Sequence, residues 1–364
     1  MESHLTALGT SFGEWVGYSL LAAYIMLWVW AGMVWAWRAL RKSWTDRDGA
    51  SRGEAARHKP TGDSSGLKPS DSVETLPKEV RSPASPRAPV AELRVWETVD
   101  ALVHDHQPEM IAISLQSGSN GNCFYVQSNG TGVLVDAGIS GHQAQQRLAR
   151  FGIDIRSVRG VLISHEHRDH VECAGIYHRK FGLPVFMTRR TLIAAKKLVR
   201  LGPFRDVQFF HPGEKLEIGD LVIETLPTPH DVVEGVAFVI SNGKKRLGVL
   251  TDLGHPFEQL GAVLRSLDAV FLESNYDPDM LRRGHYPPDL KARIAGPRGH
   301  LSNRESAELL SLVGAGRLRW ACLAHLSGEN NDPGLALATH RRVVPPSLLI
   351  AVASRHEALG LLEV

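Results

Sequence analysis

Apolar and polar positions divide the sequence into three regions of different character. The first contains an uncharged run, Trp15–Trp37, of 23 residues with aromatic side chains near both ends. As a helix this run would measure about 34 Å at about 1.5 Å per residue, enough to cross a hydrocarbon core of about 30 Å. Because the basic segment RALRK follows at once, the positive-inside rule places the rest of the chain in the cytoplasm. We therefore predict a transmembrane anchor in residues 1–42 rather than a signal peptide, whose charges would precede a shorter apolar run.

The second region, residues 43–109, is polar for most of its length. It is rich in serine, proline, glycine and charged residues, and large apolar side chains are sparse. Such a segment cannot bury enough apolar surface to offset the entropy that it would lose on ordering. We predict a disordered linker that ends in a short amphipathic segment, in which Leu93, Trp96, Val99 and Leu102 recur at helical spacing.

The third region, residues 110–364, alternates between predicted strands and helices. IAISL, CFYVQS and VRGVLIS have the composition of buried strands, whereas VECAGIYHRKFG is typical of a helix that ends at Gly182. Between two apolar runs, Asn242-Gly243 predicts a type I′ hairpin turn. Mixed strands and helices over 255 residues predict one layered α/β domain, with the sheets inside and the helices outside.

Composition excludes several classes of protein. The cysteines, Cys123, Cys173 and Cys322, show no C-x-x-C spacing, which argues against a disulfide framework and a cysteine-ligated zinc site and suits a reducing compartment. The formal net charge of +2 by itself points to no polyanionic partner. The 17 histidines are more informative, because several follow apolar runs beside acidic residues.

The segment HEHRDH directly follows a predicted strand and holds four candidate metal ligands: His165, His167, Asp169 and His170. Imidazole and carboxylate groups bind zinc, manganese and iron, and a site needs several of them to converge. The first two histidines alternate in the loop and can face one point, while Asp169 and His170 begin the next helix and can face a second. Two ligand pairs this close predict two metal ions roughly 3.5–4 Å apart, an arrangement that serves phosphodiester hydrolysis.

Further ligands must come from later strand ends. TLPTPHD supplies His230, GVLTDLG supplies Asp252 and CLAHLSGENN supplies His325. Each of these residues alone is more often a solvated strand end than a ligand. Together with the HEHRDH loop, they provide enough donors for two metal ions.

This ordered set of motifs resembles the metallo-β-lactamase fold. The segments SLQSGSNGNCFYV, LVDAGIS, TDLG, ESNYDPDML, GHLSN and AHLSGENN are similar, more closely, to the YycJ/WalJ-type family of bacterial nucleases. The resemblance extends from about Met110 to the C-terminus. It implies a four-layer αβ/βα sandwich of the α/β class over residues 110–364, with the metal ions at the edges of the sheets.

The resemblance also implies individual roles. It assigns seven ligands to two divalent metal ions, zinc or manganese: His165, His167 and His230 to the first, Asp169, His170 and His325 to the second, and Asp252 as the bridge. Asp136, in LVDAG, matches a family position that hydrogen-bonds a ligand histidine; otherwise it is a turn residue. Tyr276 stands where a histidine is expected in the family, which leaves open what that position does here.

A mechanism follows from the predicted site. Water bound to such ions loses a proton near neutral pH, because its pKa falls from about 15.7 to about 7. The hydroxide would attack phosphorus, and Asp169 could orient it. His300, in GHLSN, is the candidate for protonating the leaving oxygen; otherwise it is an ordinary loop residue. Ser302 and Glu305 form an S-x-x-E capping box, which would place His300 just ahead of a helix.

The resemblance implies a nucleic acid substrate and, most closely, a 5′→3′ DNA exonuclease. Basic clusters such as RRTLIAAKKLVR (residues 189–200) could follow a phosphate backbone, although most such clusters are ordinary solvated surfaces. The alternatives are an RNA-processing nuclease, a hydrolase of a thioester, lactone or cyclic phosphodiester, and a non-catalytic module. We expect an enzyme anchored at the cytoplasmic face of the membrane, or a cytoplasmic enzyme if translation starts at Met110.

Overall fold

The computed structural model describes residues 108–313 and 316–364. The predicted anchor (residues 1–42) and nearly all of the predicted linker (residues 43–109) lie outside the described residues. In the ranges that are described, no helix is both long enough and apolar enough to cross a membrane.

Two seven-stranded sheets form the centre of the described domain. The first has the order β14-β1-β2-β3-β4-β5-β6. Its strands are β1 (Ile111–Gln116), β2 (Cys123–Ser128), β3 (Thr131–Val135), β4 (Val158–Leu162), β5 (Val185–Met187), β6 (Val207–Phe209) and β14 (Leu362–Glu363). The second has the order β13-β12-β11-β10-β9-β8-β7. Its strands are β7 (Lys215–Ile218), β8 (Leu221–Pro227), β9 (Val236–Ser241), β10 (Arg246–Leu250), β11 (Ala269–Glu273), β12 (Trp320–Ala324) and β13 (Leu349–Val352).

Both sheets are mixed, and each contains a run of parallel strands. In the first sheet β3 to β6 are parallel, and in the second sheet β10 to β13 are parallel, while the remaining neighbours pair antiparallel. The carboxyl ends of parallel strands meet at one edge of a sheet, where ligands of α/β proteins commonly bind. The topology therefore makes one edge of each sheet the expected position of a site.

Helices connect these strands and cover the outer faces. Among the described residues they are α1 (Gly141–Ala149), α2 (Arg168–Val171), α3 (Ala174–Phe181), α4 (Arg189–Leu198), α5 (Glu258–Ser266), α6 (Pro278–Arg283), α7 (Pro288–Ile294), α8 (Asn303–Val313) and α9 (Pro333–Arg341), with a short 3-10 helix at Ile155–Ser157.

The core lies in three layers, which follow from alternation along the strands. In β2, Phe124 and Val126 pack between the two sheets, against residues such as Phe271, whereas Cys123 and Tyr125 face the helices outside the first sheet. A third cluster packs the second sheet against α5, α8 and α9. Both faces of each sheet are thus covered. This explains why the sequences of the central strands are apolar at nearly every position. Two mixed sheets flanked by helices confirm the predicted α/β sandwich.

Two local predictions had different outcomes. Gly182 ends α3 with a φ of 76° and donates its N–H to the carbonyl of His178, as predicted for a helix C-cap. The prediction of a type I′ turn at Asn242-Gly243 is wrong, because Ser241 pairs with Arg246 and leaves a four-residue loop between the two strands. Only Gly243 in that loop has a positive φ, and the Asn242 side chain instead accepts hydrogen bonds from the N–H groups of Lys244 and Lys245.

Candidate metal centre

Parallel strands of both sheets end at a single cluster of polar residues. Asp136 follows β3 and His165 follows β4 in the first sheet, while Asp252 follows β10 and His325 follows β12 in the second. Three of these four, Asp136, Asp252 and His325, have left-handed backbones, with φ of 62°, 57° and 56°. Asn129 is the only other non-glycine residue in the described ranges with a positive φ. Such strained conformations concentrate at functional sites, and here they turn side chains into the cluster.

The first predicted ligand group is assembled as expected. One nitrogen of each of His165, His167 and His230 lies within 4.8 Å of the others. Nδ1 of His230 is 2.8 Å from the carbonyl oxygen of Gly299, so it donates a hydrogen bond and leaves Nε2 free to bind a metal. Nδ1 of His165 contacts the Ser164 hydroxyl at 2.9 Å, and its Nε2 is buried without a hydrogen-bond partner in the described part of the chain.

The second group, Asp169, His170 and His325, also converges within 4.8 Å. Nδ1 of His170 donates to Oδ2 of Asp136 at 2.7 Å, which fixes the ring and directs Nε2 towards the cluster. Asp136 therefore makes the contact with a ligand histidine that the resemblance implies. Hydrogen bonds of this kind orient metal ligands and set the imidazole tautomer.

Asp252 lies between the two groups. Its Oδ1 is 3.3 Å from Nε2 of His325 and 3.6 Å from Nε2 of His230, and its Oδ2 is 3.2 Å from Nε2 of His170. Despite this proximity, Oδ2 has no hydrogen-bond partner of good geometry among residues 108–313 and 316–364. A buried carboxylate oxygen and a buried imidazole nitrogen without partners are costly unless a further group binds them. The donor set therefore fits metal ions.

Burial and neighbouring charges put three of these groups, His165, His167 and Asp252, in the protonation states that metal binding needs. Burial lowers the pKa of His165 well below its ordinary value and that of His167 to about 4, so both are neutral near pH 7. Burial raises the pKa of Asp252, but the neighbouring histidines, His325 first, outweigh it and hold the pKa well below its usual value. Two neutral imidazoles beside an ionised carboxylate suit a divalent cation. For His170, burial lowers the pKa but the carboxylates around it, Asp252 first, outweigh burial and raise the pKa well above its ordinary value, so a metal ion would have to displace that proton.

Asn122 and Ser164 support the ligands, and sequence reasoning missed both. The Asn122 amide nitrogen lies 3.1 Å from Nε2 of His170 and 3.3 Å from the carbonyl oxygen of Asp169, and its Oδ1 is 3.3 Å from Nδ1 of His325. The Ser164 hydroxyl is within 2.8 Å of Oδ1 of Asp136. The signal for Asn122 was its place in the SGSNGN loop, and Ser164 directly precedes the HEHRDH loop.

Glu273, at the end of β11, was also missed, and it holds the predicted acid His300. Its Oε1 accepts a hydrogen bond from Nδ1 of His300 at 2.7 Å, and its Oε2 accepts from the N–H of Leu253 at 2.8 Å. Burial lowers the pKa of His300, but the Glu273 carboxylate outweighs it and raises the pKa to about 9. Ser302 and Glu305 form the predicted capping box behind this histidine, so His300 is held in place from two sides.

The cluster is open to solvent on one side. A cavity of about 190 Å³ lies over it and is lined by residues that include Asp252, His300 and His325. It adjoins a wider groove of about 610 Å³, and the two share four residues: Ser119, His167, Asp169 and Arg293. Arg293 is hydrogen-bonded to the Asp231 carboxylate on the cavity wall. A chain-like substrate could therefore enter along the groove and reach the cluster.

Tyr276 lines neither the cavity nor the groove. It is buried, with 6% of its surface exposed, and it pairs with Ser302 through an isolated parallel bridge. The N–H of Asn303, the first residue of α8, donates to the Tyr276 carbonyl at 2.8 Å. Its contacts indicate that Tyr276 positions the start of α8 rather than contacting a substrate.

Comparison with known proteins agrees with this geometry. A family model described as a beta-lactamase superfamily domain matches residues 131–321, more than half of the chain. Exodeoxyribonuclease YycJ of Bacillus anthracis is 34% identical over 222 residues, which cover 61% of this chain and 84% of YycJ. Exodeoxyribonuclease WalJ of Streptococcus pneumoniae is 34% identical over 227 residues, which cover 62% of this chain and 84% of WalJ.

Among solved structures, the metallo-beta-lactamase fold protein YhfI from Bacillus subtilis has a TM-score of 0.54 to this chain. The match covers 70% of this chain and 99% of YhfI at 18% sequence identity, a likeness that shows the fold alone. The family match and the identity to two exonucleases go further. They show that the chain belongs to the β-lactamase superfamily and, within it, to the YycJ/WalJ-type family with the metallo-β-lactamase fold.

Proposed function

We propose that this chain is a metal-dependent DNA exonuclease that degrades a strand in the 5′→3′ direction. The observation that carries the proposal is the convergence of seven ligand-type side chains on one solvent-exposed opening. The two exodeoxyribonucleases, each 34% identical to this chain, support a nucleic acid substrate and DNA in particular. They do not favour the RNA-processing and small-molecule alternatives.

Two divalent metal ions, zinc or manganese, would be held by this donor set. The first ion would be bound by His165, His167 and His230. The second ion would be bound by Asp169, His170 and His325. The Asp252 carboxylate would be shared between the two ions. The unpartnered atoms, Nε2 of His165 and Oδ2 of Asp252, support this fit. When bound, such ions supply a hydroxide nucleophile near neutral pH and offset charge on the phosphoryl oxygens.

The residues of the chain itself handle the protons and the orientation of the substrate. Of the two carboxylates, Asp169 is the more exposed, with 21% of its side chain accessible against 4% for Asp252, so it can orient the attacking water. His300 carries a proton near neutral pH because Glu273 raises its pKa to about 9. Since Glu273 occupies Nδ1, the proton on Nε2 is the one that His300 can give to the leaving oxygen.

The decisive assay uses the purified full-length chain with Mn²⁺ or Zn²⁺ and oligonucleotides labelled at either end. A 5′→3′ exonuclease releases a labelled mononucleotide at once from 5′-labelled DNA and a shortening ladder from 3′-labelled DNA. Parallel reactions on RNA and on a thioester substrate separate the alternatives. Faster cleavage of RNA than of DNA, or no cleavage of either nucleic acid, would contradict the proposal.

We also propose that residues 1–42 anchor the enzyme in the cytoplasmic membrane and that residues 43–109 tether the catalytic domain, residues 110–364, on the cytoplasmic side. The apolar run with its basic border supports this arrangement. Fractionation of native cells, probed with an antibody to the C-terminal domain, tests it. Detection of the protein only as a soluble band of domain size would refute the anchor.

A further inference from the structure

The exposed face of α4 carries a stripe of cationic and apolar side chains. Arg189, Ile193, Lys196 and Lys197 are all exposed and recur at helical spacing, while Leu192 and Ala195 are buried on the opposite face. Ile193 is 53% exposed, which is unusual for a large aliphatic side chain in the middle of a helix. The face that points to solvent is therefore apolar at its centre and positive on either side.

The positive charge of this segment is not neutralised locally. Residues 189–200 contain five cations and no acidic residue, while the whole chain has a formal charge of only +2, so the other residues sum to −3. Among the described residues, Lys196 and Lys197 form neither ion pairs nor side-chain hydrogen bonds. Within the part of the chain that the structure describes, Arg190 at the edge of the stripe is the one cation of this segment that pairs with a carboxylate, that of Glu234 at 3.6 Å. Exposed cations without partners are available to bind phosphate groups.

An exposed aromatic ring lies at the N-terminal end of the stripe. Phe209 is 41% exposed on the edge strand β6, in register with Met187 of β5, two residues before Arg189. The guanidinium carbon of Arg189 lies 4.3 Å from the centre of the Phe209 ring. Aromatic rings flanked by arginine are platforms on which unpaired bases stack.

The fold connects this surface to the metal centre in two ways. Strands β4, β5 and β6 are parallel, so Phe209 lies at the same carboxyl edge as the ligand loop after β4, two strand positions or about 10 Å away. At the other end of α4, Leu198 is 53% exposed and lines the same groove as His167 and Asp169. A strand that leaves the groove therefore meets α4 directly.

We propose that this surface, defined as Arg189, Ile193, Lys196, Lys197 and Phe209 and called the α4 surface, holds the single-stranded segment of DNA next to the cleavage site. The inference rests on the proposed nuclease function. The lysines bind the phosphate backbone, and Phe209 with Arg189 stacks a base. Because stacking on Phe209 requires an unpaired base, the surface prefers a single strand over a blunt duplex.

The test measures binding of a fluorescent single-stranded oligonucleotide to the full-length chain in EDTA, so that the DNA is not cleaved. For Lys196→Gln/Lys197→Gln we expect the plot of log affinity against log salt to lose about 0.7 of slope per lysine. For Phe209→Ala we expect affinity to fall roughly five- to a hundred-fold with an unchanged slope. Both variants should hydrolyse bis-nitrophenyl phosphate, which is too small to span the surface, at the wild-type rate.

Matched controls come from the second sheet and from α9, which packs against it. Arg341→Gln/Arg342→Gln removes two adjacent exposed cations at the end of α9, and Leu349→Ala truncates an exposed side chain on the edge strand β13. Both controls should bind the oligonucleotide like the wild type. If the controls lose as much affinity for the oligonucleotide as the α4 variants, binding does not depend on the α4 surface in particular, and the inference is overturned.

The remaining outcomes separate the inference from the proposed function. If the wild type cleaves DNA while the α4 variants bind and cleave it normally, the α4 surface is refuted and the nuclease stands. If the wild type hydrolyses neither DNA nor the small phosphodiester, the proposed function itself fails. Binding of the wild type to anionic lipid vesicles but not to DNA, abolished in the same variants, would identify a membrane surface instead.

Discussion

The first sheet brings most of its ligands to the centre on one loop, whereas the second sheet brings one residue from the end of each of several neighbouring strands. His165, His167, Asp169 and His170 lie within six residues after β4. The second sheet contributes Asp252 after β10, Glu273 at the end of β11 and His325 after β12. These three contributions depend on the register between parallel strands, whereas His230 follows β8, which pairs antiparallel with its neighbours.

The two sheets also hold their ligands by different means. On the first sheet, side chains do this work: Asp136, Ser164 and Asn122 hydrogen-bond the ligand loop. On the second sheet, Asp252 and His325 are aimed by left-handed backbone conformations, and Asn122 also contacts the His325 ring. Because the ligand-type residues come from both sheets, their relative positions depend on how the two sheets pack against each other. Removing a residue that both groups contact should cost more than removing a support that belongs to one side.

The largest expected effect is that of Asp252→Ala, because this carboxylate lies between both ligand groups. We expect bound metal to fall and hydrolysis to drop roughly a thousand-fold or more, since the lost stabilisation amounts to several kcal/mol. Metal analysis and kcat/KM on the same preparation check this. Asp279→Asn, an exposed carboxylate on α6 that pairs with Arg282, should keep its metal content. Full metal content with normal activity in Asp252→Ala would exclude the bridging role.

His300→Ala comes next, and it separates chemistry from metal binding. We expect metal content to be unchanged and DNA hydrolysis to slow roughly 10²- to 10⁴-fold, the usual contribution of a general acid. A nitrophenyl phosphodiester should lose much less, because its leaving group needs no proton. Comparable losses on the two substrates would instead indicate that His300 binds substrate or supports structure.

Asn122→Ala should have a smaller effect on metal affinity and sharpens the comparison between the sheets. The Asn122 side chain contacts His170 from the first sheet and His325 from the second. Loss of such a supporting contact typically lowers metal affinity about 10- to 100-fold. Titration with a competing chelator measures it. Ser164→Ala, which removes a support on the first sheet alone, should lose less, and the reverse order would refute the shared role of Asn122.

Much of the fold and of the ligand set was predictable from the sequence, and the reasons are local. The strands of the first sheet are apolar runs, and the HEHRDH loop concentrates four candidate ligands within six residues. Glu273 and Asn122 escaped because a single buried glutamate or asparagine carries no periodic signal and becomes significant only when distant strands meet. The Asn242-Gly243 turn failed because the Asn242 amide also donates to the Glu109 carbonyl and the Ser128 hydroxyl, contacts that no local pattern contains.

Tyr276→Phe should have the smallest effect and tests how far the site extends into the second sheet. The residue stands in a segment that resembles the nuclease family, which alone would suggest a contact with substrate. Its burial, its bridge to Ser302 and its absence from the walls of the cavity and groove argue for a role in packing. Because the backbone contacts to Ser302 and Asn303 survive the change, we expect kcat/KM within about threefold of wild type and little change in the free energy of unfolding. A loss of tenfold or more in kcat/KM with unchanged stability would show that the tyrosine hydroxyl acts on the substrate, and the site would then reach beyond the cavity.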